Sequence, residues 1–367
     1  MKFLLISPKN RTAYNFRGDL IKKIKASNYD VIVTGPDLSD VERITKLGAD
    51  FKEIPMNKTG TSILSDLKYC FKLLKLFRTE KPDVTLGYTV KPVIYGSIAA
   101  KLSGVKHIAC MVTGGGYVFT SKNLKARLLG LLVKILYRIA FTCADCVIFQ
   151  NPDDLDEFCK LKLANRKKCA LVNGSGVNMK SFSPAPLSNK PVFFMLSRLL
   201  KSKGVCEYLK AAELVKAEYP DAEFNLLGKF EYKMQDAVPG EVVLDYINRG
   251  IINLIPETFD VRPYFESCSV YVLPSYREGT PRTVLEAMAM GRPIITTDIN
   301  GCRETVKDGI NGYLVPVGDV KALANAMKRF IENPDLVKPM GNESIRYCKE
   351  KFDVNSVNDA MCKFLKI

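Results

Sequence analysis

Short continuous apolar runs alternate with longer amphipathic segments along most of the chain. Continuous apolar runs are typical of strands buried on both faces of a parallel sheet, and apolar residues that recur every three to four positions predict helices. The alternation predicts an α/β fold with two doubly wound, Rossmann-like domains. Strands are predicted at 3–7, 31–35, 84–88, 108–113, 146–150 and 170–173, and again at 192–196, 224–227, 252–255, 270–273, 294–297 and 313–315.

A break separates the two series at residues 183–191, which hold three prolines and no apolar periodicity. Such composition is typical of an interdomain linker. We therefore expect an N-terminal domain at 1–182 and a C-terminal domain at 192–345. Residues 346–367 are predicted to form a C-terminal helix that packs back on the N-terminal domain. Further helices are predicted at 19–26, 63–79, 93–102, 124–141 and 204–218, with a helical pattern from 317 onward.

Two carboxylates stand close together in sequence after the predicted strand 270–273. Glu278 lies in a polar loop, and Glu286 lies in the helix that the pattern predicts from 281 to 290. A strand, a loop and a helix N-terminus in this order form the usual phosphate-binding site of α/β proteins. A carboxylate only accepts hydrogen bonds, which suits the hydroxyls of a ribose or a sugar ring. The alternative is an ordinary helix cap with two solvated acids.

Three cations, Arg198, Lys201 and Lys203, follow another predicted strand, 192–196, directly after its carboxyl end. Arg198 can bind a phosphate with two parallel hydrogen bonds, and Lys203 adds a point charge. Because the carboxyl ends of parallel strands meet at one edge of a sheet, these cations and the two acids predict a site for a nucleotide diphosphate. For the cations alone, a basic surface turn is an equal alternative.

The composition favours anionic partners and gives little support to a metal site. The chain of 367 residues carries a net charge of +15, and its 11 cysteines follow no disulfide framework. The odd number and apolar surroundings of these cysteines indicate reduced thiols in a cytoplasmic protein. Cys143 and Cys146 form one CxxC pair, but no second pair follows, and His107 is the only histidine. Neither a signal peptide nor a membrane-spanning helix is predicted.

The motifs EGTPRTVLEAMAMGRPIITTD (278–298) and SRLLKSKG (197–204) resemble the signature segments of family 4 glycosyltransferases. The pattern continues at 301–312 and at 174–178. The resemblance implies a GT-B fold, in which two Rossmann-like domains face each other across a cleft. It also implies a retaining transfer of sugar from a nucleotide donor that needs neither a metal nor another cofactor. In this family, front-face attack is favoured, and a leaving phosphate oxygen helps to accept the proton.

The resemblance also assigns roles to individual residues. Arg198 and Lys203 would hold the donor diphosphate, Glu278 would lie beside the transferred sugar, and Glu286 would take the ribose hydroxyls. Further donor-binding positions carried by the resemblance are Gly279, Thr280 and Pro281 at the phosphate and sugar, and Gly228, Lys229 and Ile255 beside the base.

The first half departs from the commonest family pattern. The usual Gly-Gly loop after the first strand and the usual histidine beside the donor sugar are both missing, and His107 is interpreted as structural. The segments found here instead, NFR (15–17), TVKP (89–92) and TGGGY (113–117), resemble those of a subgroup, the polyprenyl-diphosphate-linked glycan N-acetylgalactosaminyltransferases of bacterial glycan assembly. This resemblance places Asn15, Arg17, Lys91, Thr113, Gly114, Gly115 and Gly116 on the acceptor side, next to acceptor diphosphate or donor sugar.

Two basic amphipathic segments, 122–141 and 63–81, support a membrane-bound acceptor. Each carries five Lys or Arg residues among apolar side chains. Such helices lie on anionic interfaces, although a core-facing helix with a solvated basic back has the same pattern. We therefore predict a peripheral enzyme on the cytoplasmic face of the inner membrane. It would move a sugar, expected to be an N-acetylhexosamine, from a UDP-sugar to a polyprenyl-diphosphate-linked saccharide in surface polysaccharide or glycoprotein glycan assembly.

Two alternatives use the same residues differently. A sugar-nucleotide epimerase would share the two-domain fold, but it needs acid and base residues beside the sugar. A non-catalytic basic module could bind nucleic acid, but no nucleic-acid motif with interleaved aromatic residues is found, so no nucleic-acid partner is expected.

Overall fold

The computed structural model describes residues 1–57, 60, 62–114, 124–187, 190–232 and 234–367. The chain divides into two compact units. The first unit comprises Met1–Gly176 and Val354–Ile367, and the second comprises Val177–Asp353. No helix in the described part of the chain is both long and apolar enough to cross a membrane.

Within the described residues, the first unit holds a seven-stranded sheet in which every pairing is parallel, in the order β3-β2-β1-β4-β5-β6-β7. The strands are β1 (Lys2–Ile6), β2 (Asp30–Gly35), β3 (Asp50–Glu53), β4 (Val84–Tyr88), β5 (His107–Val112), β6 (Cys146–Phe149) and β7 (Cys169–Leu171). The helices of this unit are α1 (Asn10–Ala26), α2 (Val41–Thr45), α3 (Ile63–Glu80), α4 (Val90–Leu102), α5 (Leu124–Cys143), α6 (Pro152–Lys160) and α13 (Val354–Leu365).

Successive side chains of β1 contribute alternately to two hydrophobic cores, one on each face of the first unit's sheet. Phe3 and Leu5 belong to a core shared with α1 and α13, whereas Leu4 and Ile6 belong to a core shared with α3, α4, α5 and α6. Successive side chains of a strand point to opposite faces, so one apolar run feeds both cores. The sheet therefore separates α1 and α13 from the layer that contains α3, α4 and α5.

The second unit repeats this plan with six parallel strands among its described residues, in the order β10-β9-β8-β11-β12-β13. Its strands are β8 (Val192–Leu196), β9 (Glu223–Leu227), β10 (Asn253–Ile255), β11 (Val270–Leu273), β12 (Ile294–Thr297) and β13 (Gly312–Val315). Its helices are α7 (Val205–Glu218), α8 (Gly240–Asn248), α9 (Arg262–Ser267), α10 (Arg282–Ala289), α11 (Val320–Glu332) and α12 (Val337–Phe352).

The strand predictions agree with the structure to within two residues at each end, with one omission. β3 was not predicted because three of its four residues DFKE are charged and exposed at the sheet edge, which leaves Phe51 as its one apolar residue. The predicted helix at 19–26 is also too short, since α1 already begins at Asn10. Its first turns are polar, and polar turns carry no apolar periodicity that marks a helix.

The domain boundaries differ from the predicted ones. The predicted linker belongs to the second unit, where the buried Arg292 donates from Nη2 to the carbonyls of Ala185 (3.1 Å) and Pro186 (2.8 Å). The predicted boundary at 345/346 falls inside the continuous helix α12. The chain instead passes between the units at 176/177 and 353/354, beside the hydrogen bond from Val177 N to Phe352 O (2.8 Å). The prolines of residues 183–191 therefore indicated irregular backbone within the second unit and did not indicate a boundary between the units.

Candidate functional site

The carboxyl ends of four neighbouring strands, β10, β9, β8 and β11, form one edge of the second sheet. From β8 the chain continues outward to β9 and β10, then returns to β11 on the other side of β8. Ligands of open α/β sheets bind in the crevice at such a reversal of strand order. The predicted donor residues follow these four strand ends.

Lys203 and Glu278 form an ion pair at this edge. The Lys203 Nζ contacts Glu278 Oε1, and the Ser275 hydroxyl donates to the same oxygen at 2.9 Å. The two charged side chains are 23% and 14% exposed, so both charges are largely shielded from water. The loops that carry them are tied together, because Tyr276 N donates to Ser202 O at 2.9 Å. The structure thus brings together a cation and an acid that are 75 residues apart in sequence.

Glycines make the close approach of these loops possible. Gly204 has φ of +74°, and a Cβ there would lie 2.0 Å from Pro274 O. Gly301 has φ of +78°, and a Cβ there would lie 1.8 Å from Gly279 O, next to Glu278. A side chain at either position would displace backbone of the β11–α10 loop, so both glycines are steric requirements of the site.

Glu286 lies on α10 and is paired with Arg282, one turn earlier. Arg282 donates from Nε to Glu286 Oε1 at 3.0 Å, and the two side chains are only 10% and 12% exposed. Burial raises the pKa of Glu286, and the guanidinium of Arg282 acts in the opposite direction. The arrangement is a buried carboxylate whose ionised form is held by one neighbouring cation.

The start of α10 contains the remaining predicted phosphate-side residues. Pro281 precedes the helix in an extended conformation with ψ of 111°, Thr280 is buried, and the Gly279 carbonyl lies against Gly301. The helix N-terminus therefore follows directly on the loop that carries Glu278, and its first backbone N–H groups belong to the same turn.

The predicted base-side residues form a second part of this edge. Gly228 N donates to Ile255 O at 3.1 Å, and a Cβ on Gly228 would lie 2.2 Å from Ser197 O, so this turn packs on the loop after β8. Lys229 pairs with Glu257, with Nζ and Oε2 3.5 Å apart. These side chains are partly exposed, in contrast to the Lys203–Glu278 pair.

Arg198 is exposed, and its Nη1 lies 3.5 Å from Met234 Sδ. It shares the loop after β8 with Lys203, but the structure shows no contact between Arg198 and Glu278 or Glu286. Of the predicted catalytic residues, the geometry therefore joins Lys203 with Glu278 and leaves Arg198 at the rim.

Arg17 lies at the carboxyl edge of the first unit's sheet. It belongs to α1 and is 3% exposed, with Nη2 2.9 Å from Met111 Sδ and the guanidinium carbon 5.3 Å from the Tyr88 ring centroid. The Tyr88 hydroxyl contacts Ser7 Oγ at 2.5 Å and Thr12 Oγ1 at 3.1 Å, and burial raises the pKa of Tyr88. These contacts fix a cation at the ends of β4 and β5.

Lys91 lies at the start of α4 and is already paired. Its Nζ donates to Asp66 Oδ1 at 2.5 Å and to Gly60 O at 2.8 Å, and Tyr95 donates to Asp66 Oδ2 at 3.1 Å. The Lys91 and Asp66 side chains are each 13% exposed. Thr89, just before α4, has φ of +68°, a conformation that a β-branched residue rarely adopts. Lys91 thus ties the start of α4 to α3.

The other residues predicted on the acceptor side take no part in the contacts described for Arg17 and Lys91. Asn15 is exposed on α1, while Thr113 and Gly114 are partly buried directly after β5. Gly115 and Gly116 lie outside the described residues. His107 begins β5, and its Nε2 lies 2.9 Å from Phe364 O on α13, in keeping with the structural interpretation.

Several residues of these clusters were not predicted. Arg282 could have been found, since an Arg four positions before a Glu on a helix signals a pair on one face. Asp66 and Tyr88 carry no comparable local signal, because their partners are distant in sequence. Ser275 lies only three residues before Glu278, but a serine in a polar loop does not by itself indicate a contact with a nearby acid. In the described ranges, no three His, Cys, Asp or Glu side chains gather as a metal site would require.

Known proteins resemble both halves of the chain. Residues 190–333 match the family model described as glycosyl transferases group 1, and residues 2–151 match the one described as glycosyl transferase 4-like. An uncharacterised glycosyltransferase of Haemophilus influenzae is 31% identical over 304 residues, which cover 82% of each chain.

A characterised relative and a solved structure extend this likeness over nearly the whole length. The N,N'-diacetylbacillosaminyl-diphospho-undecaprenol alpha-1,3-N-acetylgalactosaminyltransferase of Campylobacter jejuni is 26% identical over 365 residues, 95% of each chain. The structure of Anabaena HepE in complex with UDP superimposes with a TM-score of 0.80 at 18% identity, covering 100% of both chains. At that identity the structural likeness shows the fold alone, which is GT-B, as predicted. The chain therefore belongs to the group 1, family 4-type glycosyltransferases and is an enzyme of that class.

Proposed function

We propose that this enzyme transfers an N-acetylhexosamine, with retention of anomeric configuration, from a UDP-sugar to a polyprenyl-diphosphate-linked saccharide. The observation that carries the proposal is the presence of two ion pairs largely shielded from water, Lys203–Glu278 and Arg282–Glu286, beside a helix N-terminus. The activity named for the Campylobacter jejuni relative, transfer of N-acetylgalactosamine to a diphospho-undecaprenol-linked sugar, supports the sugar and acceptor classes.

In this proposal, Lys203 exchanges partners when the donor binds. A diphosphate carries more negative charge than the Glu278 carboxylate, and its oxygens compete for the ammonium group. Arg198 at the rim adds a guanidinium that suits the same diphosphate. Glu278, released from Lys203 but still accepting from Ser275, then faces the sugar hydroxyls.

The reaction breaks the bond between the sugar C1 and the β-phosphate oxygen and forms a bond between C1 and the acceptor oxygen on the same face. The acceptor proton passes to the leaving phosphate oxygen, so UDP departs and charge is balanced. Lys203 and the α10 N-terminus stabilise the negative charge that develops on this oxygen, a type of contribution commonly worth about 3–4 kcal/mol per donor. Glu286 binds the ribose hydroxyls with the lone pairs that Arg282 leaves available.

We assign the acceptor and the membrane contact to the first unit. On α3, Ile63, Leu64, Leu67 and Phe71 are 46–74% exposed, and the four cations Lys68, Lys72, Lys75 and Arg78 are exposed beside them. On α5, Leu131, Leu132, Ile135 and Ile139 are 43–56% exposed. Exposed apolar side chains mixed with cations suit the interface of an anionic membrane. The 11 free cysteines are compatible with a cytoplasmic, inner-leaflet location.

The test is UDP release by the purified protein with a panel of UDP-sugars, with and without a lipid-diphosphate-linked saccharide, followed by NMR of the product linkage. We expect acceptor-dependent UDP release and an α-linked product from an α-linked donor. An inverted anomer would contradict retention, and an epimerised UDP-sugar formed without acceptor would favour the epimerase alternative. Lys203→Met should abolish most of this release, whereas Lys321→Met, an exposed lysine on α11, should not.

A further inference from the structure

The first unit contains a basic cleft that the proposed transfer does not use. Its volume is about 490 Å³, and it lies between the last turns of α5 and α6 and the segment that precedes β7. Four cations line it, together with the buried Phe141 and Leu163, and none of its lining residues is acidic. The four cations are Arg138, Lys162, Arg166 and Lys168.

These cations are only partly neutralised by their neighbours. Arg166 is paired with the exposed Asp156, and Lys168 donates from Nζ to the carbonyls of Thr142 (3.1 Å) and Ala144 (2.7 Å). Arg138 and Lys162 are exposed and make no ion pair with any residue in the described part of the chain. The cleft therefore keeps a local excess of about three positive charges and suits an anionic group.

The cleft lies at the opposite edge of the sheet from the predicted acceptor residues. Thr142 and Arg166–Lys168 precede the amino ends of β6 and β7, whereas Arg17 and Lys91 lie at carboxyl ends of strands. The strand β6 has four residues, so the two edges are separated by about 13 Å at a rise of about 3.3 Å per residue. An anion in the cleft is thus distinct from the diphosphate of the acceptor.

The exposed apolar residues of α5 lead directly to this cleft. At about 100° per residue, Arg138 and Thr142 lie within about 60° of Leu131 and Ile135 around the helix axis. All four side chains are exposed, and Ile139 adjoins them. One face of α5 is therefore apolar along its middle and opens onto the cations at its C-terminal end.

We infer that this cleft binds the phosphate of an anionic glycerophospholipid while the apolar face of α5 contacts the acyl region beside it. The inference rests on the proposed membrane contact and names its lipid partner. Charge complementarity and the continuity of the apolar face with the cleft favour a lipid, since a soluble phosphate ester would make no use of Leu131, Ile135 and Ile139.

The chain has no tryptophan, so Ile139→Trp introduces a single fluorescent reporter beside the cleft. We expect a blue shift on titration with phosphatidylcholine vesicles that contain phosphatidylglycerol, and little shift with phosphatidylcholine alone. In this background, Arg138→Gln/Lys162→Gln should weaken binding to the anionic vesicles on the order of 25-fold, about fivefold for each cation removed.

The matched control is Lys22→Gln/Lys25→Gln, which removes the same charge from exposed positions on α1, across the sheet from α5. It should change vesicle binding less than twofold. Equal losses in the two double variants would assign binding to the overall charge of +15 and overturn the inference. Displacement by soluble glycerol phosphate at a matched phosphate concentration would also overturn it, because the cleft would then serve a soluble ester.

Failure of this inference is distinguishable from failure of the proposed function. UDP release measured on detergent-solubilised acceptor should be the same for Arg138→Gln/Lys162→Gln as for the parent protein, and circular dichroism should show an unchanged melting temperature. If the parent releases no UDP with any acceptor, the proposed function fails while the vesicle titration still decides the lipid site. If the protein binds neutral and anionic vesicles equally, the lipid inference fails while the proposed transfer reaction is unaffected.

Discussion

Replacement of Arg282 by methionine should weaken donor binding without slowing the chemical step. The side chain lies on the first turn of α10, and its Nε is 3.0 Å from Glu286 Oε1. Methionine keeps much of the apolar stem but removes the charge that holds Glu286 ionised. If Glu286 binds the ribose, its hydrogen bonds change from charged to neutral ones.

The magnitude follows from the burial of the pair. At 3.0 Å the gross attraction is about 5–6 kcal/mol for an effective dielectric constant near 20, and most of it offsets desolvation. Removing one partner of a buried pair costs about 3–5 kcal/mol while the other stays charged, and protonation of Glu286 relieves this cost. A charged hydrogen bond is stronger than a neutral one by roughly 1–1.5 kcal/mol, so we expect donor KM to rise about tenfold for each ribose hydroxyl bound.

The pH dependence gives the sharper test. Arg282 lowers the pKa of Glu286 against the raising effect of burial, so its removal must raise that pKa further. The ionised carboxylate is the form that binds the ribose. As the pH is lowered, donor KM should therefore begin to rise at a higher pH in Arg282→Met than in the parent enzyme. The kcat should stay constant, because ribose binding is equal in the ground and transition states. Arg282→Lys should restore part of the parent profile.

The matched control is Arg346→Met on α12. Arg346 also pairs with a glutamate four residues away, Glu350, at 2.8 Å, but both side chains are more than half exposed. Its loss should change stability by less than about 1 kcal/mol and leave donor KM unaltered. Identical pH profiles of donor KM for Arg282→Met and the parent would refute the predicted role of Arg282. The prediction would also fail if Glu286→Gln raised donor KM by the same factor in the parent and in Arg282→Met, because the two residues would then act independently.

Three further predictions concern the site and its support. Lys203→Met should lower kcat about 10²- to 10³-fold in steady-state UDP release, and unchanged turnover would exclude a role at the leaving group. Gly301→Ala should lower the free energy of unfolding by about 1–3 kcal/mol in urea, because its φ is +78° and its Cβ would meet Gly279 O; a wild-type midpoint would contradict this. His107→Leu should cost about 1 kcal/mol by leaving the Phe364 carbonyl without its partner, with kcat unchanged, and a selective loss of kcat would instead indicate catalysis.

The sequence by itself was sufficient for the order and approximate bounds of most elements. Strands such as β8 and β11 are continuous apolar runs because both faces of a parallel sheet are covered, so burial leaves a direct mark in the sequence. The polar edge strand β3 and the polar start of α1 leave no such mark. The linker prediction failed because prolines signal irregular backbone, and irregular backbone also packs inside a domain, as it does against Arg292.

The candidate site also has features that the sequence predicted and features that only the tertiary structure revealed. Glu278 and Glu286 were identifiable because they stand close together in a recognisable strand, loop and helix, and the spacing of Arg282 from Glu286 was also readable. That Lys203 contacts Glu278, and Lys91 contacts Asp66, depends on strand order and on the packing of α3 against α4. Local periodicity reports which face of an element is buried, but it does not report which distant element covers that face. The tertiary structure alone therefore decided which charges that are distant in sequence neutralise each other.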